Sequence, residues 1–188
     1  MHPDRPPPTR TCLYDHRQLD DVVADMARRA AGLFPGPAPI AVVGVLRRGA
    51  PLAERITERL VAHHALPPPV RLDLKVSRYA DDLTLLHPET RLVENPDHAA
   101  PLAELAGRRL LVVDDVLYSG HSLLRVVEYL GRYGPAEIRV AVLVDRGVAC
   151  LPVHADIVGV RLQVAPPDIV ECHVPPYEPD FGIDLRRE

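Results

Sequence analysis

Lysine is almost absent from this chain of 188 residues, in which Lys75 is the single lysine among 22 basic residues. A Walker-type phosphate loop ends in glycine and lysine followed by serine or threonine. Lys75 follows no such glycine pattern, and the nearest match, residues 44–49, continues with Ala50 and Pro51. The sequence therefore excludes phosphate binding through a P-loop, and we attribute most of the arginine excess to compositional bias.

Cysteines and long apolar runs are also scarce. The three cysteines, Cys12, Cys150 and Cys172, are far apart and form no CxxC pair, which is typical of free thiols in a reducing compartment. Apolar runs such as Ile40–Leu46 are much shorter than a membrane span. The first residues lack the apolar stretch of a signal peptide. We therefore expect a cytoplasmic protein with no membrane partner.

The composition fits one globular domain. Hydrophobic residues make up 47% of the chain and charged residues 26%, enough for a sizeable core. The net charge of −4 argues against a dedicated nucleic-acid binder. Residues 1–11 are rich in proline and are expected to form a loose arm. Residues 12–188 are expected to form a single domain, in which residues 79–107 show no sustained periodicity and form either a functional lid or a misassigned element.

Apolar strands alternate with amphipathic helices along the chain. The patterns predict helices over 18–33, 51–63 and 123–130, and strands over 40–45, 70–76 (half exposed), 110–113, 138–144, 157–160 and 169–174. This order predicts an α/β fold with a mostly parallel sheet flanked by helices. Ligands of such sheets bind beyond the carboxyl ends of the strands. The segments in that position are 46–49, 114–122 and 145–147.

The segment from Asp114 to Ser122 carries the strongest functional signal. Two adjacent acids, Asp114 and Asp115, end an apolar strand, where an unpartnered charge is costly. Ser119, Gly120, His121 and Ser122 then open a helix, whose N-terminal N–H groups and hydroxyls suit a phosphate. Carboxylates beside such a cradle could accept hydrogen bonds from sugar hydroxyls. The alternative is an ordinary capped helix, with Ser119 or Ser122 as the N-cap and the acids solvated.

The stretch Val113–Ser122 resembles the phosphoribosyl-pyrophosphate motif of type I phosphoribosyltransferases. It is most similar to the bacterial family of pyrimidine-operon attenuation regulators that are also uracil phosphoribosyltransferases. The similarity extends, in the same order along the chain, through Val43–Arg55, Tyr79–Leu83, Ala141–Gly147 and Leu151–Gly159. The resemblance implies the type I phosphoribosyltransferase fold, with phosphoribosyl pyrophosphate and a nucleobase, most often uracil, as substrates.

The resemblance also assigns roles to individual residues. Asp114 and Asp115 would hold the ribose hydroxyls, while Leu117, Tyr118 and residues 119–122 would surround the 5′-phosphate. Leu46–Gly49 would form the pyrophosphate loop, with Arg47 and Arg48 beside the leaving group and a cis peptide near Leu46–Arg47. Mg²⁺ would be held mainly by substrate oxygens and water near the two aspartates, with no dedicated protein ligands. The resemblance further makes residues 79–107 a flexible hood loop, with Arg78, Asp81 and Asp82 at its start, and residues 160–188 a base-side segment. It also implies a homodimer or higher homo-oligomer.

Two assignments remain open on the residues alone. Arg146 could lie near the base or the pyrophosphate, or could form an ion pair with Asp145. Tyr118 is expected to pack against its neighbours rather than to stack on a base. For the sequence pattern as a whole, a generic α/β nucleotide-binding protein that does not need magnesium is a further hypothesis beside the transferase.

The chain departs from the family at several positions. Ala80 and His121 replace family arginines, and residues 159–165 differ from the family's segment beside the base, which leaves a purine as an alternative substrate. The predicted first helix carries Asp20, Asp21 and Asp25. Their negative charge disfavours the family's second activity, the nucleotide-sensitive regulation of a pyrimidine operon through RNA binding.

Overall fold

The computed structural model describes residues 9–36, 39–64, 66–75, 93–94 (backbone only), 102–165 and 167–187. Its three helices are α1 (His16–Leu33), α2 (Gly49–His64) and α3 (His121–Gly131), and a short 3₁₀ helix covers Leu102–Leu105. The strands are β1 (Thr9–Tyr14), β2 (Ile40–Leu46), β3 (Val70–Lys75), β4 (Val93–Glu94), β5 (Arg109–Leu117), β6 (Glu137–Asp145), β7 (Ile157–Arg161), β8 (Ile169–His173) and β9 (Gly182–Arg187).

Six strands form the main sheet in the order β4-β3-β2-β5-β6-β7. The strands β3, β2, β5, β6 and β7 run parallel to one another, and β4 pairs antiparallel with β3 at the edge of the sheet. Helix α2 connects β2 to β3, helix α3 connects β5 to β6, and apolar side chains pack on both faces of the sheet. This arrangement confirms the predicted α/β fold with a central, mostly parallel sheet.

A second sheet of three antiparallel strands, in the order β1-β9-β8, joins the two ends of the chain. Thr9, Arg10 and Thr11 pair with Arg187, Arg186 and Leu185 of β9. The prediction of a loose arm over 1–11 is therefore wrong for residues 9–11, and residues 1–8 lie outside the described residues. The missed strand is short, follows a proline-rich stretch and is mostly exposed, so no apolar alternation marks it in the sequence. We call this second sheet the small sheet.

Local sequence explains where the first helix begins. The Asp15 side chain accepts a hydrogen bond from the Gln18 N–H at 3.0 Å, and the Gln18 side chain accepts one from the Asp15 N–H at 3.0 Å. This reciprocal capping box satisfies two backbone donors at the helix start. The buried face of α1, which includes Leu19, Val23 and Met26, then packs against the core.

Two strands differ from their predicted form. Strand β5 continues to Leu117, so that Asp114 and Asp115 lie within the strand rather than after it. Strand β3 is not half exposed, because Asp73 is only 1% accessible. Of the predicted hood loop over 79–107, the structure describes β4 and the segment from Leu102 onward, and the rest lies outside the described residues. Within the described parts of the chain, no helix is both long and apolar enough to cross a membrane.

Candidate active site

The loop between β2 and α2 lies against the middle of the sheet because two glycines permit close contacts. A Cβ added to Gly44 would lie 2.5 Å from Oδ1 of Asp73 and 2.6 Å from Cα of Ala50. A Cβ added to Gly49 would lie 2.5 Å from the carbonyl oxygen of Val113. The peptide bond between Leu46 and Arg47 is cis, as the resemblance implied. The predicted pyrophosphate loop is thus placed beside the strand that carries the two aspartates.

A buried ion pair on β3 contacts the two elements that flank this loop, β2 and the start of α2. The Arg71 guanidinium donates to Asp73 Oδ1 at 2.8 Å, to the Val42 carbonyl at 3.0 Å and to the Ala50 carbonyl at 3.3 Å. Burial lowers the pKa of Arg71, and the neighbouring Asp73 carboxylate opposes that shift. Sequence reasoning missed this pair. Arg71 and Asp73 are two positions apart on β3 and share one face of the strand, but the strand's own sequence does not show that this face is buried.

Asp114 and Asp115 are buried near the carboxyl end of β5, with accessibilities of 6% and 5%. Oδ1 of Asp114 accepts from the Asp115 N–H at 2.8 Å, and Oδ1 of Asp115 accepts from the Val116 N–H at 3.0 Å. Oδ2 of Asp115 lies 3.8 Å from a terminal nitrogen of Arg48. The alternative in which these acids are merely solvated is wrong, because both are inside the protein and one faces the loop arginine.

Helix α3 starts without a side-chain cap. Its N-cap is Gly120, in the left-handed region at φ 89°, and not Ser119 or Ser122. A Cβ on Gly120 would lie 2.7 Å from Cγ2 of Val153, so both the backbone conformation and the space require glycine. The His121 ring nitrogen Nδ1 is 3.0 Å from Ser119 Oγ. Gly120 makes no side-chain capping bond to the first turn, and the N–H groups at the start of a helix are the groups that bind anions at such termini.

The two loop arginines contact the segment that follows β8. Nε of Arg48 lies 3.0 and 3.1 Å from the two carboxylate oxygens of Glu178. The Arg47 guanidinium lies 5.2 Å from the centroid of the Tyr177 ring. The Glu178 pair raises the pKa of Arg48, and the Arg48 side chain holds the pKa of Glu178 below its usual value. Neither Tyr177 nor Glu178 was predicted, since nothing in the local sequence marks them.

Arg146 does not pair with Asp145. Among the described residues, Asp145 accepts from the Gly147 N–H at 2.8 Å and lies 3.8 Å from Arg161. The Arg146 side chain is 8% accessible, donates to the Val164 carbonyl at 3.4 Å and lies 5.5 Å from the centroid of the Tyr118 ring. Tyr118 itself is 58% exposed, so the expectation that it packs into its surroundings is wrong. Arg146 and Tyr118 together face the cleft.

Part of the predicted site lines a cleft of about 770 Å³ between the main sheet and the small sheet. Its wall includes four predicted site residues, which are Arg48, Asp115, Tyr118 and Arg146. The small sheet and the residues around it contribute the opposite wall, with Ile169, Val170, Glu171 and Glu178 among others. Leu117 lines a smaller cavity of about 240 Å³ beside Asp145 and Gly147, and neither Asp114 nor residues 119–122 belong to the wall of the larger cleft. Arg78, Asp81 and Asp82 lie outside the described residues, as does Ala80.

Magnesium was expected to bind mainly through substrate oxygens. Among the residues that the structure describes, no group of three or more histidine, cysteine, aspartate or glutamate side chains is arranged to hold a metal ion. Asp115 lines the cleft, Asp114 precedes it at the buried end of β5, and carboxylate oxygens of this kind suit Mg²⁺. The donor set therefore fits an ion that is shared with a substrate.

The acids of α1 are partly neutralised in the fold. Asp20 lies 3.5 Å from Arg55 and 3.3 Å from Arg59 of α2, and Asp25 forms ion pairs with Arg28 and Arg29. Only Asp21 of the three has no ion pair with a described residue. The charge argument against RNA is thus weaker than the sequence alone indicated.

The family model for the phosphoribosyl transferase domain matches residues 10–180. The chain belongs to the phosphoribosyltransferase family. Among curated proteins, the "Bifunctional protein PyrR" of Roseiflexus sp. (strain RS-1) is 34% identical over 170 residues, covering 89% of this chain and 86% of the relative. The protein of the same name from Deinococcus radiodurans is 38% identical over 139 residues, covering 72% of each chain.

Solved structures with similar folds include another phosphoribosyltransferase. The hypoxanthine phosphoribosyltransferase of Trypanosoma cruzi has a TM-score of 0.70 at 19% identity, covering 95% of this chain and 97% of that one. A hypoxanthine phosphoribosyltransferase from Staphylococcus aureus has a TM-score of 0.63 at 17% identity, covering 85% and 80%. At these identities the likeness shows that this phosphoribosyltransferase shares their fold, and it does not decide the base.

Proposed function

We propose that the protein transfers ribose 5-phosphate from phosphoribosyl pyrophosphate to a nucleobase, releasing pyrophosphate. One observation carries this proposal. The buried acids Asp114 and Asp115 stand between a helix start without a side-chain cap at Gly120 and a loop arginine, Arg48, that lies 3.8 Å from Asp115. A sugar that bears a phosphate at one end and a pyrophosphate at the other matches this order of groups.

In the proposed complex, the 5′-phosphate lies at Ser119–Ser122, where first-turn N–H groups and hydroxyls donate to its oxygens. The carboxylates of Asp114 and Asp115 accept hydrogen bonds from the ribose hydroxyls. The pyrophosphate lies against Leu46–Gly49. This assignment follows the order of the segments around the carboxyl ends of β2 and β5, which are adjacent in the sheet.

Departure of pyrophosphate from C1 leaves positive charge on the ribose ring and negative charge on the leaving group. Asp114 and Asp115 favour the first, and Arg47 and Arg48 stabilise the second. Bound Mg²⁺ would supply further neutralisation of pyrophosphate and would orient it beside the ribose oxygens. The base nitrogen attacks C1 directly, so no side-chain nucleophile is required of the protein.

We propose uracil as the base, with UMP as the product. Support comes from the motif resemblance and from the similarity to curated proteins named PyrR. The base would lie near Arg146 and Tyr118, where Nε of Arg146 is buried and has no hydrogen-bond partner among the described residues. A guanidinium there can donate to a carbonyl oxygen of the base. Hypoxanthine and guanine also carry such an oxygen, so a purine base is the alternative.

The test is pyrophosphate release by the purified protein with phosphoribosyl pyrophosphate, Mg²⁺ and one base at a time. Uracil, hypoxanthine, guanine, xanthine and orotate form the panel. The proposal predicts release that requires a base and is fastest with uracil. Faster release with a purine would overturn uracil and retain the transfer reaction, whereas no release with any base would overturn the transfer reaction.

RNA binding is a second candidate function. The curated relatives are named as bifunctional proteins, which is consistent with a second activity. The arginine partners of Asp20 and Asp25 reduce the negative charge on α1 that disfavours RNA. The measurement is binding of a pyrimidine-operon leader transcript over a range of salt concentrations, with and without UMP. Affinity that falls steeply with salt and rises with UMP supports this activity, and equal affinity for an unrelated transcript contradicts it.

Homo-oligomerisation stays a prediction, to be measured by light scattering.

A further inference from the structure

A short segment after β8 contacts the pyrophosphate loop and α2 at three successive points. Tyr177 lies against Arg47, Glu178 binds Arg48, and the ring of Phe181 lies 4.6 Å from the Arg55 guanidinium. We infer that Glu178 is a positioning residue, which holds the guanidinium of Arg48 in the orientation that receives pyrophosphate. This inference rests on the proposed function, because it concerns the substrate of the same cleft.

The carboxylate of Glu178 is itself fixed before it meets Arg48. Its Oε2 accepts a hydrogen bond from the Val174 N–H at 2.9 Å, and its own N–H donates to the Val174 carbonyl at 3.4 Å. Val174 is fully buried, and Phe181 is 6% accessible, so both ends of the turn are anchored in the core. A carboxylate held by its own turn presents both oxygens in one orientation, which reduces the entropy lost when Arg48 binds.

The geometry of the pair determines which donors of Arg48 remain for a ligand. Glu178 binds the edge of the guanidinium formed by Nε and Nη2. The other terminal nitrogen, Nη1, is the one that lies 3.8 Å from Oδ2 of Asp115. Arginine is planar, so fixing one edge also fixes the direction of the remaining N–H groups. Glu178 therefore directs Nη1 toward the side of the cleft where Asp115 would hold the ribose.

The charges around Arg48 agree with this role. The Arg48 side chain is 32% exposed, and its guanidinium lies between the carboxylates of Glu178 and Asp115, whose side chains are 17% and 7% exposed. A partly buried cation held between two anions keeps its charge, and the Glu178 pair further raises the pKa of Arg48. The cation is thus retained in the cleft before the substrate arrives.

The test is a double-mutant cycle on Arg48 and Glu178, read as the KM for phosphoribosyl pyrophosphate and as its Kd by calorimetry. Glu178→Gln keeps an oxygen for the Val174 N–H and removes the charge. We expect it to raise KM and Kd about tenfold, with kcat and the KM for the base changed by less than about threefold. In an Arg48→Ala background, the same change is expected to have less than about a twofold effect.

Asp180→Asn is the matched control, because Asp180 is an exposed acid of the same segment, and it is expected to leave KM unchanged. Arg48→Lys is the second variant if Glu178→Gln fails to fold, and it is expected to reproduce the same loss because lysine cannot form the two-point contact. An unchanged KM in Glu178→Gln, or full additivity with Arg48→Ala, overturns the inference while wild-type activity persists. A wild-type protein that neither binds nor consumes phosphoribosyl pyrophosphate contradicts the proposed function, and the inference falls with it.

Discussion

Gly49 and Val113 are in such close contact that a Cβ on Gly49 would lie 2.5 Å from the Val113 carbonyl oxygen. The contact joins the first residue of α2 to the residue before Asp114. This contact fixes the distance between the predicted pyrophosphate loop and the two aspartates, because the backbones at Gly49 and Val113 cannot move apart without disrupting the helix start or the sheet.

Gly49→Ala is expected to separate these two parts of the cleft. The added methyl group must displace backbone rather than a flexible side chain, which costs about 1–3 kcal/mol of unfolding free energy. Urea unfolding measures that loss, and substrate kinetics should show a higher KM for phosphoribosyl pyrophosphate. Gly131→Ala is the control, because a Cβ there has no atom within 4 Å. Equal stability and KM in the Gly49 and Gly131 variants would contradict the close contact.

Breaking the buried pair of Arg71 and Asp73 is expected to destabilise the fold. Asp73→Asn keeps the shape but removes the charge opposite a largely buried guanidinium, which lowers the unfolding free energy by about 3–5 kcal/mol. Arg71→Met combined with Asp73→Asn should cost less than the two separate losses together. The exposed pair of Glu128 and Arg132 is the comparison, and Glu128→Gln should change stability by less than about 1 kcal/mol. Similar losses at the two sites would contradict the role of burial.

The Glu178 contact gives stability a defined pH dependence. The hydrogen bond from Arg48 holds the pKa of Glu178 below its ordinary value of 4.5. Because the folded pKa is the lower one, the stabilisation is present above the unfolded pKa and is lost as pH falls through the folded pKa. The difference in urea midpoint between wild type and Glu178→Gln should thus be largest above pH 4.5 and shrink below it. A difference that is constant from pH 7 to pH 3 would exclude this contribution.

The three cysteines are expected to react at different rates. Cys12 and Cys150 are exposed, whereas Cys172 is buried. Desolvation, with a further contribution from Asp115, raises the pKa of the Cys172 thiol well above its usual range, and the thiolate is the reactive form. A thiol reagent should therefore modify two cysteines in the native protein and the third only after unfolding. Cys172→Ser, which removes the slow thiol, identifies it, and rapid modification of all three would contradict its burial.

The regular part of the fold was predictable because apolar periodicity is a local property. The runs 40–45, 110–113 and 138–144 are mostly apolar and rich in β-branched residues, and each lies in a strand of the parallel sheet. The helix start at Ser119–Ser122 was predictable for the same reason, since these residues are contiguous in sequence. The small sheet was harder to predict, because β1 and β9 pair across almost the whole length of the chain.

The parts of the site that escaped prediction depend on contacts between distant residues. Glu178 lies 130 positions from Arg48, and no local pattern distinguishes it from other acids in a proline-rich stretch. Asp73 could not be recognised as buried from its own strand, because its burial follows from the approach of α2 at Gly44. Arg146 was correctly predicted to follow a strand, but its contact with Tyr118 instead of Asp145 depends on the path of the loop that follows.

The most direct test of phosphoribosyl transfer compares wild type with Asp114→Asn/Asp115→Asn in pyrophosphate release from phosphoribosyl pyrophosphate, Mg²⁺ and uracil. Both acids are buried, so circular dichroism must first show that the variant is folded, and Glu128→Gln on α3 serves as an exposed control. If these carboxylates bind the ribose as proposed, their loss lowers the rate at least about a hundredfold relative to wild type. Equal release by the folded variant and the wild type would contradict the account.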